Sequence, residues 1–258
     1  MNYRVERFPD SRIATFDICA VSHLKHHITI MIECDITDSR KKLKELKSAG
    51  RKISFFGWLL KVIADSVMDN PHSAAYLHSK RELIIFDTVS ISTIFEKEVD
   101  GVRVPVPMVI KDANLKSVEE ISKEIDDAKN EVVTKKSIVI NRKPNAFERI
   151  YYLFPGFLRR AIWRYFIRNP KLSKRLMGNV SVTSLGMTGP INAWFIHKSI
   201  HPVSIGVGTI MKKPVVIDNE VVIREVMNMT LLIDHDVMDG VPMARFIKDL
   251  ERRIRIFD

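Results

Sequence analysis

Apolar and polar positions alternate along this chain with two different periods, and the period changes from segment to segment. Alternation in β-branched segments predicts strands at residues 27–35, 82–86, 89–96, 102–110, 179–183, 202–210 and 228–233. A helical period predicts helices at residues 11–26, 38–48, 55–68, 117–133, 157–168 and 241–254. This order predicts an α+β fold, in which helices cover one side of a large mixed sheet and residues 1–258 form a single domain.

Cap and turn residues support several of these elements. Ser117 followed by Glu120 is typical of a capping box at a helix start. Hairpin turns are expected at 100–101 and 218–219, because Asp-Gly and Asp-Asn pairs favour tight turns between strands. The prolines of the 102–110 run predict an edge strand, since proline cannot donate to a central ladder.

The composition, 46% hydrophobic and 28% charged, is that of an ordinary globular protein. Two cysteines, Cys19 and Cys34, form no disulfide framework and have no metal-ligand spacing. His197 and His201 are four residues apart but follow a predicted loop, so a zinc site is not expected there. The charged N-terminus does not resemble a signal peptide, and no apolar run is long enough to span a membrane. These features predict a cytoplasmic protein without a metal site.

The net charge of +10 is concentrated in one segment. Residues 141–177 contain ten Lys and Arg against one acid, Glu148, and eight of the 21 aromatic residues. Within it, Arg160, Arg164 and Arg168 are spaced to share one face of a helix. This pattern favours an anionic cofactor or carrier protein, an anionic membrane surface, or a lid whose arginines are simply solvated. Nucleic acid is not expected, because no recognised binding motif accompanies the charge.

A single histidine, His235, follows the predicted strand 228–233 and precedes the last helix. Strand ends that open into loops commonly carry catalytic residues. An imidazole with a near-neutral pKa can accept a proton from a thiol or hydroxyl. Asp239 can hold this loop, and Gly240 is expected to allow a tight turn into the helix.

Four segments in order resemble the catalytic domain of the dihydrolipoamide acyltransferases of 2-oxoacid dehydrogenase complexes. They are residues 27–70, 100–121, 180–189 and 232–246, the last with the HxxxDG pattern of the chloramphenicol acetyltransferase-like superfamily. The similarity covers nearly the whole chain apart from residues 134–178, a basic aromatic helical insert. The resemblance implies a chloramphenicol acetyltransferase-like fold and CoA-dependent acyl transfer.

The resemblance also implies roles for individual residues. His235 is expected to be the general base, and the Thr183 hydroxyl, with Ser184 beside it and Gly186 in the turn, the oxyanion donor. Thr183 stands where the family usually has serine. Asp239 is expected to pair with an arginine from the N-terminal helix region, where Arg12 or Asp17 falls, depending on the alignment.

The same resemblance implies a homotrimer in which Thr183 and His235 of neighbouring protomers meet. Coenzyme A, as an acyl thioester, is the expected substrate, with lipoamide or an acyl-carrier or lipoylated protein as the possible partner. No lipoyl segment is found, and the chain ends soon after its last helix, so a bare trimer is expected. The alternatives are a catalytically silent trimeric scaffold, a membrane-associated assembly protein, and an antibiotic-modifying acetyltransferase.

Overall fold

The computed structural model describes residues 1–5, 11–99, 102–130, 150–186 and 191–257. The helices in these ranges are α1 (Ser11–Val21), α2 (Thr37–Ser48), α3 (Phe55–Asp69), α4 (Val118–Asn130), α5 (Gly156–Arg168), α6 (Pro170–Met177) and α7 (Gly240–Ile256). Short 3₁₀ turns occupy Ser22–Leu24, Pro71–Ala74 and Ala113–Leu115. None of the helices in the described ranges has the length and apolar character needed to cross a bilayer.

The strands are β1 (His27–Asp35), β2 (Tyr76–Ser79), β3 (Glu82–Ile84), β4 (Ile91–Val99), β5 (Val102–Ile110), β6 (Val180–Ser184), β7 (Val203–Ile217) and β8 (Glu220–Asp234). Six of them form one sheet in the order β1-β8-β7-β6-β4-β5. Strand β6 runs parallel to both neighbours, whereas the other pairs are antiparallel. The expected mixed sheet is therefore confirmed.

The long β7–β8 hairpin supplies two adjacent interior strands of the sheet. Its turn is Asp218-Asn219, and both residues have positive φ, 51° and 66°. Asp and Asn tolerate this conformation better than most residues. The last nine residues of β8, 226–234, are all buried, in contrast to the part of the strand near the hairpin turn.

Helices pack on one face of the sheet. Along β1, Ile28, Ile30 and Ile32 pack against the core, while the alternate positions are exposed. Helix α3 is the most buried helix, and the hydroxyl of its N-cap, Ser54, accepts a hydrogen bond from the Gly57 N–H at 2.9 Å. Helix α7 packs beside it, with Phe246 fully buried.

Several local predictions are confirmed. Ser117 and Glu120 form the capping box of α4, with Ser117 N–H to Glu120 at 2.7 Å and Glu120 N–H to Ser117 Oγ at 3.2 Å. Strand β5 lies at a sheet edge, as its prolines predict. The 100–101 turn and the end of the predicted 117–133 helix lie outside the described residues, although the β4–β5 pairing across that turn is present.

One prediction was wrong. Residues 82–86 and 89–96 were expected to be successive strands of one meander, but β3 pairs with β2 in a separate two-stranded sheet. Strand β2 escaped prediction because only Tyr76 of its four residues is buried, so no alternation marks it. The first helix also ends earlier than expected, at Val21, and a 3₁₀ turn follows.

Candidate active site

His235 lies where β8 leaves the sheet. Its backbone N–H donates to the carbonyl of His26 at 3.0 Å, which extends the β1–β8 ladder by one position. The imidazole itself is not buried, since its side chain is 47% exposed. A rigid, buried strand therefore presents a half-exposed ring at its end, an arrangement suited to proton transfer with a bound substrate.

The histidine loop, residues 234–240, is held by the segment that precedes β1. The carboxylate of Asp234 is fully buried and lies 2.6 Å from Lys25 Nζ, whose side chain is 8% exposed. Asp236 accepts a hydrogen bond from His26 Nδ1 at 2.9 Å. This bond and the carboxylate charge raise the pKa of His26. Ionic contacts thus fix the chain on both sides of His235.

The sequence analysis did not predict these two contacts. Asp234 and Asp236 flank His235 and were visible in the sequence, but their partners lie 209 and 210 positions away. Nothing in the local pattern around Lys25 or His26 indicates the pairing. The cationic end of Lys25 also lies 5.6 Å from the centroid of the Tyr76 ring, a further contact across the fold.

Asp239 does not have the partner that the resemblance implied. Its carboxylate is 90% exposed, and Oδ1 lies 3.9 Å from His235 Nδ1, too far for a hydrogen bond. Within the described ranges it contacts no arginine. The alternative position, Asp17, is buried and instead accepts a hydrogen bond from Arg159 Nε at 2.7 Å. The arginine pair implied by the resemblance is therefore not found among the described residues of this chain.

Gly240 is the first residue of α7, and its backbone does not require glycine. Among the described glycines, only Gly50 and Gly178 have positive φ. A Cβ added at Gly240 would meet no atom within 4 Å. The expected tight turn is thus not the reason for this glycine, and open space lies beside it.

Thr183 and Ser184 end strand β6, and their hydroxyls have different environments. Ser184 Oγ accepts a hydrogen bond from the Gly186 N–H at 3.1 Å, so it closes the turn after the strand. Thr183 is half-buried, and its hydroxyl makes no hydrogen bond to the described residues. The two hydroxyls thus differ in that Ser184 Oγ takes part in the turn, whereas the Thr183 hydroxyl has no hydrogen-bond partner among the described residues.

Thr183 and His235 lie far apart within one chain. Gly206 pairs with Thr183 on one side and with Thr230 on the other, which fixes the register across the three strands. His235 follows Thr230 by five residues, which corresponds to about 17 Å along the strand, and two strand gaps of about 4.8 Å add to it. One protomer therefore cannot bring both side chains to one substrate atom.

Three further histidines are removed from solvent to different degrees: His201 is buried, and His27 and His197 are half-buried. His27 Nε2 is 2.8 Å from the His201 carbonyl, and His201 Nε2 is 3.0 Å from the Met177 carbonyl. His197 Nε2 lies 2.6 Å from Ser204 Oγ. Burial lowers the pKa of all three imidazoles, to about 4 for His197 and His201. The described part of the chain contains no cluster of three or more metal-ligating side chains.

The three arginines of the predicted insert are not part of the candidate site around the histidine loop. Arg160, Arg164 and Arg168 lie on the exposed side of α5, and within the described ranges none pairs with a carboxylate. Arg159, which sequence analysis did not single out, is the arginine that joins α5 to α1 through Asp17. No described contact links the three exposed arginines to the histidine loop.

The fold is that of the catalytic cores of dihydrolipoamide acyltransferases. The cubic core of the pyruvate dehydrogenase multienzyme complex matches with a TM-score of 0.68 at 20% identity, over 100% of this chain and 93% of that one. Dihydrolipoamide acetyltransferase of Azotobacter vinelandii, solved to study the role of a serine, a histidine and an asparagine in catalysis, matches with a TM-score of 0.67 at 20% identity. That match covers 98% of this chain and 91% of the other.

The chain belongs to the family of 2-oxoacid dehydrogenases acyltransferase (catalytic domain), whose model matches residues 4–138 and 168–257. The unmatched residues 139–167 fall within the segment expected to be an insert. The acetyltransferase component of the pyruvate dehydrogenase complex of Rickettsia prowazekii is 25% identical over 233 residues, 88% of this chain. The chain spans about half the length of that relative, 48%.

Proposed function

We propose that this chain catalyses acyl transfer between a coenzyme A thioester and a thiol or hydroxyl acceptor. The observation that carries the proposal is His235, a half-exposed imidazole at the end of a buried strand in a member of this acyltransferase family. Thr183 and Asp239 complete the proposed site, with Ser184, Gly186 and Gly240 as supporting residues.

Residue spacing supports these assignments. In the Azotobacter protein, the numbers of the named serine and histidine differ by 52, and the asparagine follows the histidine by four. Thr183 and His235 also differ by 52, and Asp239 follows His235 by four. The equal spacing supports Thr183 as the counterpart of that serine, and a threonine hydroxyl can donate the same hydrogen bond.

His235 acts as the general base in this mechanism. Its Nε2 accepts the proton of the acceptor thiol or hydroxyl, and the resulting nucleophile attacks the thioester carbonyl carbon. The Thr183 hydroxyl donates a hydrogen bond to the oxyanion of the tetrahedral intermediate. Collapse of the intermediate breaks the carbon–sulfur bond, and the departing CoA thiolate takes the proton back from His235.

The site forms between two copies of the chain. Support comes from the separation of Thr183 and His235 at different ends of the sheet. The outer part of the β7–β8 hairpin also exposes apolar side chains, with Val216, Val221 and Ile223 each at least 68% exposed. Such a surface favours contact with another protomer. A trimer is the assembly that we propose, as in the family to which the sequence was compared.

Dihydrolipoamide, free or carried by a lipoylated protein, is the thiol acceptor that best fits a relative of the lipoyl acetyltransferases. A dihydrolipoyl group carries its thiols on a flexible arm, as the pantetheine of CoA carries its own, so one channel can serve both. The open space beside Gly240, at the end of the histidine loop, leaves room for such an arm. A cytoplasmic location fits both substrates.

The proposal is tested by the turnover of acetyl-CoA with dihydrolipoamide, measured chromatographically as loss of acetyl-CoA. His235→Ala should reduce turnover about 10²–10⁴-fold, because a positioned general base contributes a factor of that size. The matched control is His78→Ala, which removes an exposed histidine from β2 and should leave turnover unchanged.

Two outcomes contradict the proposal. One is equal turnover by wild type and His235→Ala. The other is a wild-type protein that turns over no member of a panel of short acyl-CoA donors with dihydrolipoamide, although it is folded and assembled.

A further inference from the structure

The outward face of α5 combines cations with exposed aromatic rings. Arg160, Arg164 and Arg168 recur at helical spacing on it, and Phe157 and Tyr165 are 70% and 61% exposed. Helix α5 has no fully buried residue along its 13 positions. From residue 150 to residue 177 the sequence contains seven Lys and Arg and no Asp or Glu.

The opposite side of α5 is anchored to the body of the protein. Arg159 Nε and the Tyr151 hydroxyl each lie 2.7 Å from Asp17, whose side chain is 3% exposed. Trp163 Nε1 donates to the same Tyr151 hydroxyl at 2.9 Å. Residues 159 and 163 are one helical turn apart, so these bonds fix which side of the helix faces outward.

The apolar character continues beyond the helix. Leu153, in the turn before α5, is 81% exposed, and Ile150 is 46% exposed. An ordinary solvated helix would place polar side chains at such positions. Large exposed rings and aliphatic groups beside arginines are instead the pattern of helices that lie in the headgroup region of a membrane.

We propose that the outward face of α5 docks the protein on an anionic phospholipid bilayer. Charge complementarity favours this partner, since the exposed arginines meet no carboxylate of the described residues and guanidinium groups bind phosphate in a forked geometry. The helix surface is convex and open, which suits a planar bilayer and gives no cradle for a single small anion. This inference is independent of the proposed acyl transfer.

The full-length protein is tested by sedimentation with vesicles of phosphatidylcholine alone and of phosphatidylcholine mixed with phosphatidylglycerol. Wild type should bind only the mixed vesicles, and added salt should weaken binding. The variant R160Q/R164Q/R168Q should bind about 100-fold more weakly, since each basic residue near an anionic surface contributes about fivefold. F157Q/Y165Q should also bind more weakly, with its salt dependence retained.

The matched control is K41Q/K44Q/K47Q, which removes three exposed charges from α2 and should bind as wild type does. If K41Q/K44Q/K47Q lost as much vesicle binding as R160Q/R164Q/R168Q, the proposal would be overturned, because the attraction would then come from net charge alone. Failure of wild type to bind mixed vesicles would also overturn it. So would a change of oligomeric state in the α5 variants, because the face would then be an interface between protomers.

Discussion

The two ends of the sheet prepare their functional groups in different ways. At the histidine loop, a buried Lys25–Asp234 pair and the His26–Asp236 bond fix the backbone on either side of His235. At the end of β6, Thr183 has a hydroxyl without a partner among the described residues, while Ser184 alone closes the turn. The chain thus fixes the backbone around the proposed base, whereas it leaves the hydroxyl of the proposed oxyanion donor without a partner among the described residues.

After His235→Ala, the largest effect is expected from Thr183→Ala. Loss of one oxyanion donor should lower kcat about 10²–10³-fold, with little change in thermal stability, because the hydroxyl has no partner to lose. Ser184→Ala is the matched control, since it removes the adjacent hydroxyl and only the bond to Gly186. Steady-state kinetics of both variants measure the change in kcat, and their melting temperatures measure the change in thermal stability. A larger kcat loss in Ser184→Ala would reverse the assignment.

Lys25→Met should destabilise the end of the sheet that carries the histidine loop. It leaves Asp234 buried without its cation, so the free energy of unfolding should fall by about 3 kcal/mol. Arg40→Met, which breaks the more exposed Arg40–Glu225 pair, should lower it by less than about 1 kcal/mol. Urea unfolding of the two variants makes the comparison. If they lose equal stability, the buried pair is not the main support of the loop.

A smaller effect, on how stability changes with pH, is expected from the titration of His201. Its pKa is about 4 in the fold because of burial, against an ordinary value of 6.5. The unfolded chain therefore binds the proton more readily, and stability falls as pH falls from about 6.5 towards 4. Between pH 7.5 and 5.0 this single group should account for about 2 kcal/mol.

His201→Gln should reduce that pH-dependent loss of stability, measured by urea unfolding at the two pH values. His78→Gln, at an exposed position, should leave it unchanged. A full acid-induced loss in His201→Gln would show that other groups are responsible.

The sequence predicted the elements whose signals are local. The α4 capping box, the Asp218-Asn219 turn and the edge position of β5 each depend on residues close together in the chain, and all three are confirmed. Strand β2 could not be predicted in the same way, because burial of Tyr76 alone gives no period.

The candidate site was only partly predictable for a related reason. Resemblance to a family indicated His235, through the HxxxDG pattern, and Thr183, through the segment 180–189. The contacts that position the histidine loop join residues more than 200 positions apart, and no local pattern encodes them. No arginine partner of Asp239 is found among the described residues, and Asp17, in the region where that partner was expected, pairs with Arg159 of the insert.

The central claim is that neighbouring protomers share one site, and subunit mixing tests it most directly. His235→Ala and Thr183→Ala proteins are unfolded together, refolded as a mixture and assayed with acetyl-CoA and dihydrolipoamide. If the base and the oxyanion donor come from different subunits, some interfaces regain both intact residues, and activity should reach about a quarter of wild type. Activity no higher than the mean of the two separate variants would contradict the account.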